Sequence, residues 1–88
     1  MTFSEFGRRV AQNNGNGTDH GTAEPLFLVG TPVKGGVYGS YPSLSSLDNG
    51  DLKYTVDFRS VYSTVLDRWL AADSKEVLGK RYEDLAFI

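Results

Sequence analysis

Phe58, Val61, Tyr62, Val65, Leu66, Trp69 and Leu70 recur at helical spacing over three turns. Arg59, Ser60, Ser63, Thr64, Asp67 and Arg68 fill the positions between them. This pattern predicts an amphipathic helix from about Phe58 to Leu70. Asp57 or Thr55 supplies its N-cap, a side-chain oxygen accepting from a free backbone N–H. Fully burying each large apolar side chain is worth roughly 1.5–3 kcal/mol, on the order of 10–20 kcal/mol gross for the stripe. Alone in water such a helix is marginal, so the stripe is expected to dock on a sheet, with Trp69 in the core.

The rest of the chain reads as short extended pieces and loops. Leu26 to Val29 is an unbroken apolar run between Pro25 and Gly30, which predicts a strand buried on both faces. Val61, Val65 and Trp69 are expected to pack on it. Leu52 to Val56 alternates apolar and polar, as a half-buried strand does. Met1 to Phe6 suits the end of a strand that Gly7 terminates, and Arg8 to Gln12 a brief turn or helical piece. Asn13 to Gly17 is loop by composition. Residues 30–49 are irregular, with Leu44 and Leu47 pinning them to a core and Asn49-Gly50 marking a turn. Ser74 is expected to cap a second helix running to Leu78, which Gly79 stops. Tyr82, Leu85, Phe87 and Ile88 anchor the tail. No internal repeat occurs. Short strands with one main C-terminal helix predict the α/β class.

Composition narrows this picture. At 88 residues the chain is one domain or less. A chain of this length buries only about 60–65% of the surface its unfolded form exposes. Too few strands are present to flank a buried one, so exposed apolar surface and self-association are expected. Net charge is −2, and the only basic clusters, Arg8-Arg9 and Lys80-Arg81, do not make a nucleic-acid surface. No apolar run is long enough to span a bilayer. The absence of cysteine excludes disulfides and thiolate metal sites. The N-terminal residues do not read as a signal peptide.

The chemistry centres on residues 17–25, which hold the only histidine. Asp19 precedes His20, and Gly17 and Gly21 flank the pair. Imidazole nitrogen and carboxylate oxygen both bind zinc near 2 Å, and a site needs four ligands, or three and a water. Adjacent residues in a loop can converge on one ion, whereas neighbours in a strand point to opposite faces. Glu5 and Glu24 are the further ligands this half of the chain offers. The bland alternatives are a surface loop with an ordinary histidine, and a Glu5 paired with Arg8 or Arg9. The glycines of residues 30–39 match neither a P-loop nor a dinucleotide fingerprint. There is no catalytic cysteine and no Gly-x-Ser-x-Gly elbow.

Ser4-Glu5-Phe6-Gly7-Arg8, Gly17-Thr18-Asp19-His20-Gly21-Thr22, Gly35-Gly36-Val37-Tyr38-Gly39, Pro42-Ser43-Leu44 and Asp57-Phe58-Arg59-Ser60-Val61-Tyr62 together resemble the C-terminal end of the domain of unknown function 1501 family. The resemblance covers nearly the whole chain, in order. It implies a fragment, residues 1–88, of a larger domain related to alkaline phosphatases and sulfatases, with their three-layer α/β fold. It also implies a bacterial periplasmic or exported protein, since members of the family often carry a twin-arginine export signal. In that superfamily a strand ends in a metal-binding Asp-His-Gly, and a later His-Thr segment precedes an apolar strand. Ser4-Glu5-Phe6-Gly7 resembles the first element, with Phe6 where the histidine would be. His20-Gly21-Thr22 resembles the second. A competing alignment sets Asp19-His20-Gly21 on the Asp-His-Gly motif, but a polar loop precedes it.

The resemblance therefore implies a metal site drawing on Glu5, Asp19 and His20, with zinc, manganese or calcium as the ion. The substrate would be a small sulfate or phosphate ester. The nucleophile would lie upstream, so no catalysis is expected of this chain alone, and its partner would be the remainder of the parent domain. Glu5 and His20 are expected within reach of a common ion, with Asp19 joining them or holding the imidazole. A non-catalytic binding or structural protein that retains the fold is the alternative.

Overall fold

A computed structural model describes residues 1–88. It is a small α/β structure of two antiparallel strands, β1 (Gly7–Gln12) and β2 (Thr18–Gly21), and two helices, α1 (Phe58–Arg68) and α2 (Ser74–Leu78). The chain divides into two units, Met1–Val29 with Ser40–Thr55, and Gly30–Gly39 with Val56–Ile88. No helix is long and apolar enough to cross a membrane.

In the first unit β1 and β2 form a hairpin. Gly7 pairs with Gly21, Arg8 with His20 and Gln12 with Thr18, with an irregularity in β1 between Arg8 and Gln12. The connection is built on Asn13, whose Oδ1 accepts from the N–H groups of Gly15 at 2.9 Å and Gly17 at 3.1 Å. Asn13 N–H donates to the Gly17 carbonyl at 2.8 Å, and Asn16 adopts φ 60°, a left-handed angle that asparagine tolerates. Arg8 to Gln12 is thus a strand rather than a turn or helical piece. Met1 to Phe6 is not a strand. The polar sequence of β1 hid the pairing, which comes from the Asn13 loop and not from apolar alternation.

Leu26 to Val29 forms no strand either. Thr2 N–H donates to the Phe27 carbonyl at 2.8 Å and Phe27 N–H to Thr2 Oγ1 at 2.9 Å. Phe27 is exposed and Val29 is 93% exposed. A run that meets one residue on one side has no ladder to join. Leu52 to Val56 is likewise not a strand. The local structure is a bridge between Asp48 and Asp51 around the Asn49-Gly50 turn. Asn49 at φ 50° and Gly50 at φ 82° give the two left-handed central residues of a type I′ turn.

The second unit is organised on α1. Asp57 is its N-cap, Oδ1 accepting from Arg59 N–H at 2.9 Å, and the carboxylate also pairs with the Arg59 guanidinium at 2.7 Å. These bonds, the Arg59 side chain first, hold the Asp57 carboxyl below its ordinary range. The helix ends in a widened turn, with Leu70 N–H donating to the Val65 carbonyl and Ala72 N–H to that of Leu66. The cap of α2 is Asp73, not Ser74: Asp73 Oδ1 accepts from Lys75 N–H at 3.0 Å. Ser74 is committed elsewhere. Its N–H and hydroxyl donate to the two Asp67 carboxylate oxygens at 2.9 and 2.7 Å, and its Oγ accepts from Ser63 at 3.0 Å. Gly79, at φ 85°, closes α2.

The burial of α1 departs in part from the amphipathic reading: Val61 of the apolar stripe is buried and Tyr62, Val65 and Leu66 are half-buried, but the deepest positions are small polar residues. Ser60, Val61, Ser63 and Thr64 are buried, while Phe58 and Leu70 are exposed and Trp69 is 57% exposed. The hydroxyls are satisfied internally. Thr64 Oγ1 donates to the Ser60 carbonyl at 2.8 Å and accepts from Leu85 N–H at 3.0 Å. Arg68 donates to Asp84 at 2.6 Å and to the Ile88 carbonyl at 3.3 Å. Phe87, 2% exposed, meets Tyr38 edge to face and its carbonyl accepts from Lys34 N–H at 2.7 Å. The tail thus folds back on the small-residue side of the helix, where backbone can approach closely, and Phe58, Trp69 and Leu70 at the ends of the stripe are left exposed. Val61 and Phe87 are the buried hydrophobic residues.

Candidate functional site

His20 lies flat on Phe6, ring centroids 3.5 Å apart and planes 12° from parallel. Such aromatic pairs contribute about 0.5–1.5 kcal/mol beyond the area they cover. Arg8, the cross-strand partner of His20, places its guanidinium 5.2 Å from the Phe6 centroid and donates Nη1 to the Thr18 carbonyl at 2.7 Å. Cross-strand partners share a face, so Phe6, Arg8 and His20 make one surface of the hairpin. The stack fixes the plane of the imidazole through its face. His20 is exposed, and neither ring nitrogen makes a hydrogen bond or ion pair in the chain. Phe6, which cannot bind a metal, acts instead as the platform that orients the histidine.

Asp19 is elsewhere. It precedes His20 within β2, so the two side chains address opposite faces. Its Oδ1 accepts from Asn13 Nδ2 at 3.0 Å, which ties β2 to the hairpin connection. Its bonded partner is therefore Asn13 and not the imidazole. Arg9, Asn13, Asp19, Asn49 and Gly50 border one shallow depression. Glu5 is exposed and makes no hydrogen bond or ion pair, so it is not the partner of Arg8 or Arg9. Three or more histidine, aspartate or glutamate side chains do not come together anywhere in a geometry able to hold a metal ion.

The segment after His20 is fixed by a residue the sequence reading overlooked. Asp51 accepts from Thr22 N–H through Oδ1 at 3.1 Å and from Thr22 Oγ1 through Oδ2 at 2.7 Å. The hydroxyl bond, followed by the amide bond, holds the Asp51 carboxyl below its ordinary range. The signal available in the sequence was Asp48-Asn49-Gly50-Asp51, a type I′ turn whose flanking acids must face each other. Two glycines permit the close packing. A Cβ on Gly7 would sit 1.8 Å from the Ala23 carbonyl oxygen, and one on Gly21 2.7 Å from Asp51 Oδ1. Arg9 donates Nη2 to the Asn49 carbonyl, which joins β1 to the turn.

A family model described as protein of unknown function (DUF1501) matches residues 1–81. The chain belongs to this family. The match takes in Glu5, Asp19, His20 and Asp51, so both the stacked histidine and the Thr22 clamp lie within the DUF1501 region. No curated protein and no solved structure matches the chain.

Proposed function

We propose that this DUF1501 chain contributes a histidine-centred part of a metal-dependent ester-hydrolysing site, in a larger alkaline-phosphatase-like α/β domain. The observation that carries this reading is His20, a histidine whose plane is fixed by Phe6 while both nitrogens remain open. His20 is the ligand, Glu5 is a second donor on the same approach to β1, and Asp19 is a positioning residue that braces the hairpin through Asn13. The donor chemistry suits a divalent ion such as zinc or manganese, but two donors do not complete a coordination shell. The remaining ligands and the nucleophile would come from the rest of the parent domain. A bound divalent metal makes hydroxide or alkoxide available at neutral pH and offsets negative charge on a sulfate or phosphate ester. Arg8, on the same face as His20, adds positive charge where such an anion would arrive. The chain by itself has no hydrolytic activity in this reading.

Calorimetric titration of zinc and of manganese into the full chain tests it. Weak binding is expected in the wild type, lost in His20→Ala and reduced in Glu5→Gln. Identical binding by wild type and His20→Ala removes the histidine from the site.

A second reading, a non-catalytic module that keeps the fold for assembly, is favoured by a separate observation. Phe3, Phe27, Val29, Tyr41, Leu44 and Trp69 are among fourteen exposed large hydrophobic residues. Extensive apolar exposure marks interaction surface. This reading predicts association without any metal dependence.

A further inference from the structure

The chain contains three Asn-Gly steps, Asn14-Gly15, Asn16-Gly17 and Asn49-Gly50. Such a step can close on itself, because glycine has no Cβ to hinder its backbone nitrogen. The nitrogen attacks Cγ of the preceding asparagine and a new C–N bond forms. The side-chain amide leaves as ammonia, taking up the proton lost from the glycine nitrogen, and a five-membered succinimide remains. Solvent water then opens the ring. Attack at the side-chain carbonyl gives aspartate, and attack at the main-chain carbonyl gives isoaspartate.

The fold treats the three steps differently. The N–H groups of Gly15 and Gly17 both donate to Asn13 Oδ1, which engages the two nitrogens that would have to attack. Asn16 is held further, its Oδ1 accepting from Gln12 Nε2 at 3.1 Å. At the third step Gly50 N–H and the Asn49 side chain have no partner in the protein, and both residues are exposed. Arg9 Nη2 donates to the carbonyl oxygen of Asn49, which belongs to the same peptide unit as Gly50 N–H. Its guanidinium lies against Gly50, where a Cβ would be 3.1 Å from Nη2. Drawing electron density toward that carbonyl makes the N–H easier to deprotonate. The nearby cation also offsets the charge that builds on the attacking nitrogen and on the tetrahedral oxyanion.

We propose that Asn49 is a site of spontaneous deamidation directed by the fold, with Arg9 as its activating group, and that Asn13 protects Asn14 and Asn16. The isoaspartate product inserts a backbone carbon into the turn that pairs Asp48 with Asp51. Asp51 would then lose its alignment on Thr22, so the reaction loosens the segment that follows His20.

Incubation of the full chain at mildly alkaline pH, followed by peptide mapping with mass detection, tests the proposal. Asn49 is expected to convert several-fold faster than Asn14 or Asn16, and the difference should vanish in denaturant, where the hydrogen bonds are gone. Arg9→Gln should slow Asn49 several-fold. Asn13→Ala should accelerate Asn14 and Asn16, a readout independent of any effect of the arginine on folding. Conversion of Asn14 or Asn16 in the folded chain as fast as that of Asn49 overturns the proposal. An Asn49 rate indifferent to Arg9→Gln overturns the role of the arginine.

Discussion

Asp51 receives both donors of Thr22, the backbone N–H at 3.1 Å and the hydroxyl at 2.7 Å, from 29 residues away in sequence. These bonds favour the charged carboxylate, so its folded-state value lies below the ordinary 3.8. The unfolded chain therefore binds the proton first. The clamp's stabilisation is fully present above the ordinary value and is lost as pH falls through the lowered one. Hydrogen exchange at the Thr22 amide, corrected for intrinsic rate, should lose protection as pH falls below the ordinary carboxylate range and through the lowered Asp51 value. Asp51→Ala should remove that protection at every pH. A Thr22 amide equally protected in wild type and variant would disprove the clamp.

Gly7→Ala should open the hairpin. The new methyl would overlap the Ala23 carbonyl, a backbone atom that cannot rotate away. Overpacking costs typically about 1–3 kcal/mol, and contact with main chain belongs at the upper end. Cross-strand amide contacts between Gly7 and Gly21 should disappear from the nuclear Overhauser spectrum. Gly35→Ala is the control, since open space surrounds that glycine.

Thr64 holds the tail to α1 with one oxygen that donates to Ser60 and accepts from Leu85. Thr64→Val keeps the shape and leaves Leu85 N–H without its acceptor. An unsatisfied buried donor costs about 1–3 kcal/mol, and this half-buried one belongs at the lower end. Denaturant unfolding of the second unit should show that loss, and Leu85 should lose amide protection first. Asp73→Ala should destabilise α2 by about 1 kcal/mol through loss of its cap.

Trp69 is exposed, which reverses what its place in the apolar stripe suggests. Trp69→Ser should change the unfolding free energy by no more than about 0.5 kcal/mol, as surface substitutions do. It should also weaken self-association, measured by sedimentation across a concentration series. Severe destabilisation of a monomeric protein by Trp69→Ser would show that the tryptophan is buried after all.

The helices were legible in the sequence because their signals are local. Asp57, the spacing of Val61 and Val65, and Gly79 mark ends and faces within a few residues. Which face of α1 is buried was legible only in part: Val61 is buried as its place in the stripe suggests, while Trp69 and Leu70 are exposed. Periodicity tells that two faces differ, and the stripe's large residues argued for one side. The chain buries most deeply the side where Ser63 and Thr64 can hydrogen-bond to Ser74 and Leu85. The hairpin was hidden for a related reason. Gly7 to Gln12 is polar, and its pairing depends on Asn13, Gly21 and Asp51, which act across sequence. Leu26 to Val29 misled in the opposite way: an apolar run specifies a buried strand only where neighbouring strands exist to pair with it. At the candidate site, His20 could be singled out because it is unique, but its support from Phe6 was invisible to a search for ligands.

The stack of His20 on Phe6 has a magnetic consequence. A proton held above the face of a benzene ring lies in the shielding cone of its circulating electrons. The carbon-bound imidazole protons should therefore resonate upfield of those in an unstacked histidine. Because the chain has a single histidine, these two lines are free of overlap from any other imidazole. Opening of the hairpin would return them toward the unshielded position. A metal at the ring edge would move them without abolishing the ring-current contribution. One pair of resonances thus separates loss of the platform from occupancy of the nitrogens.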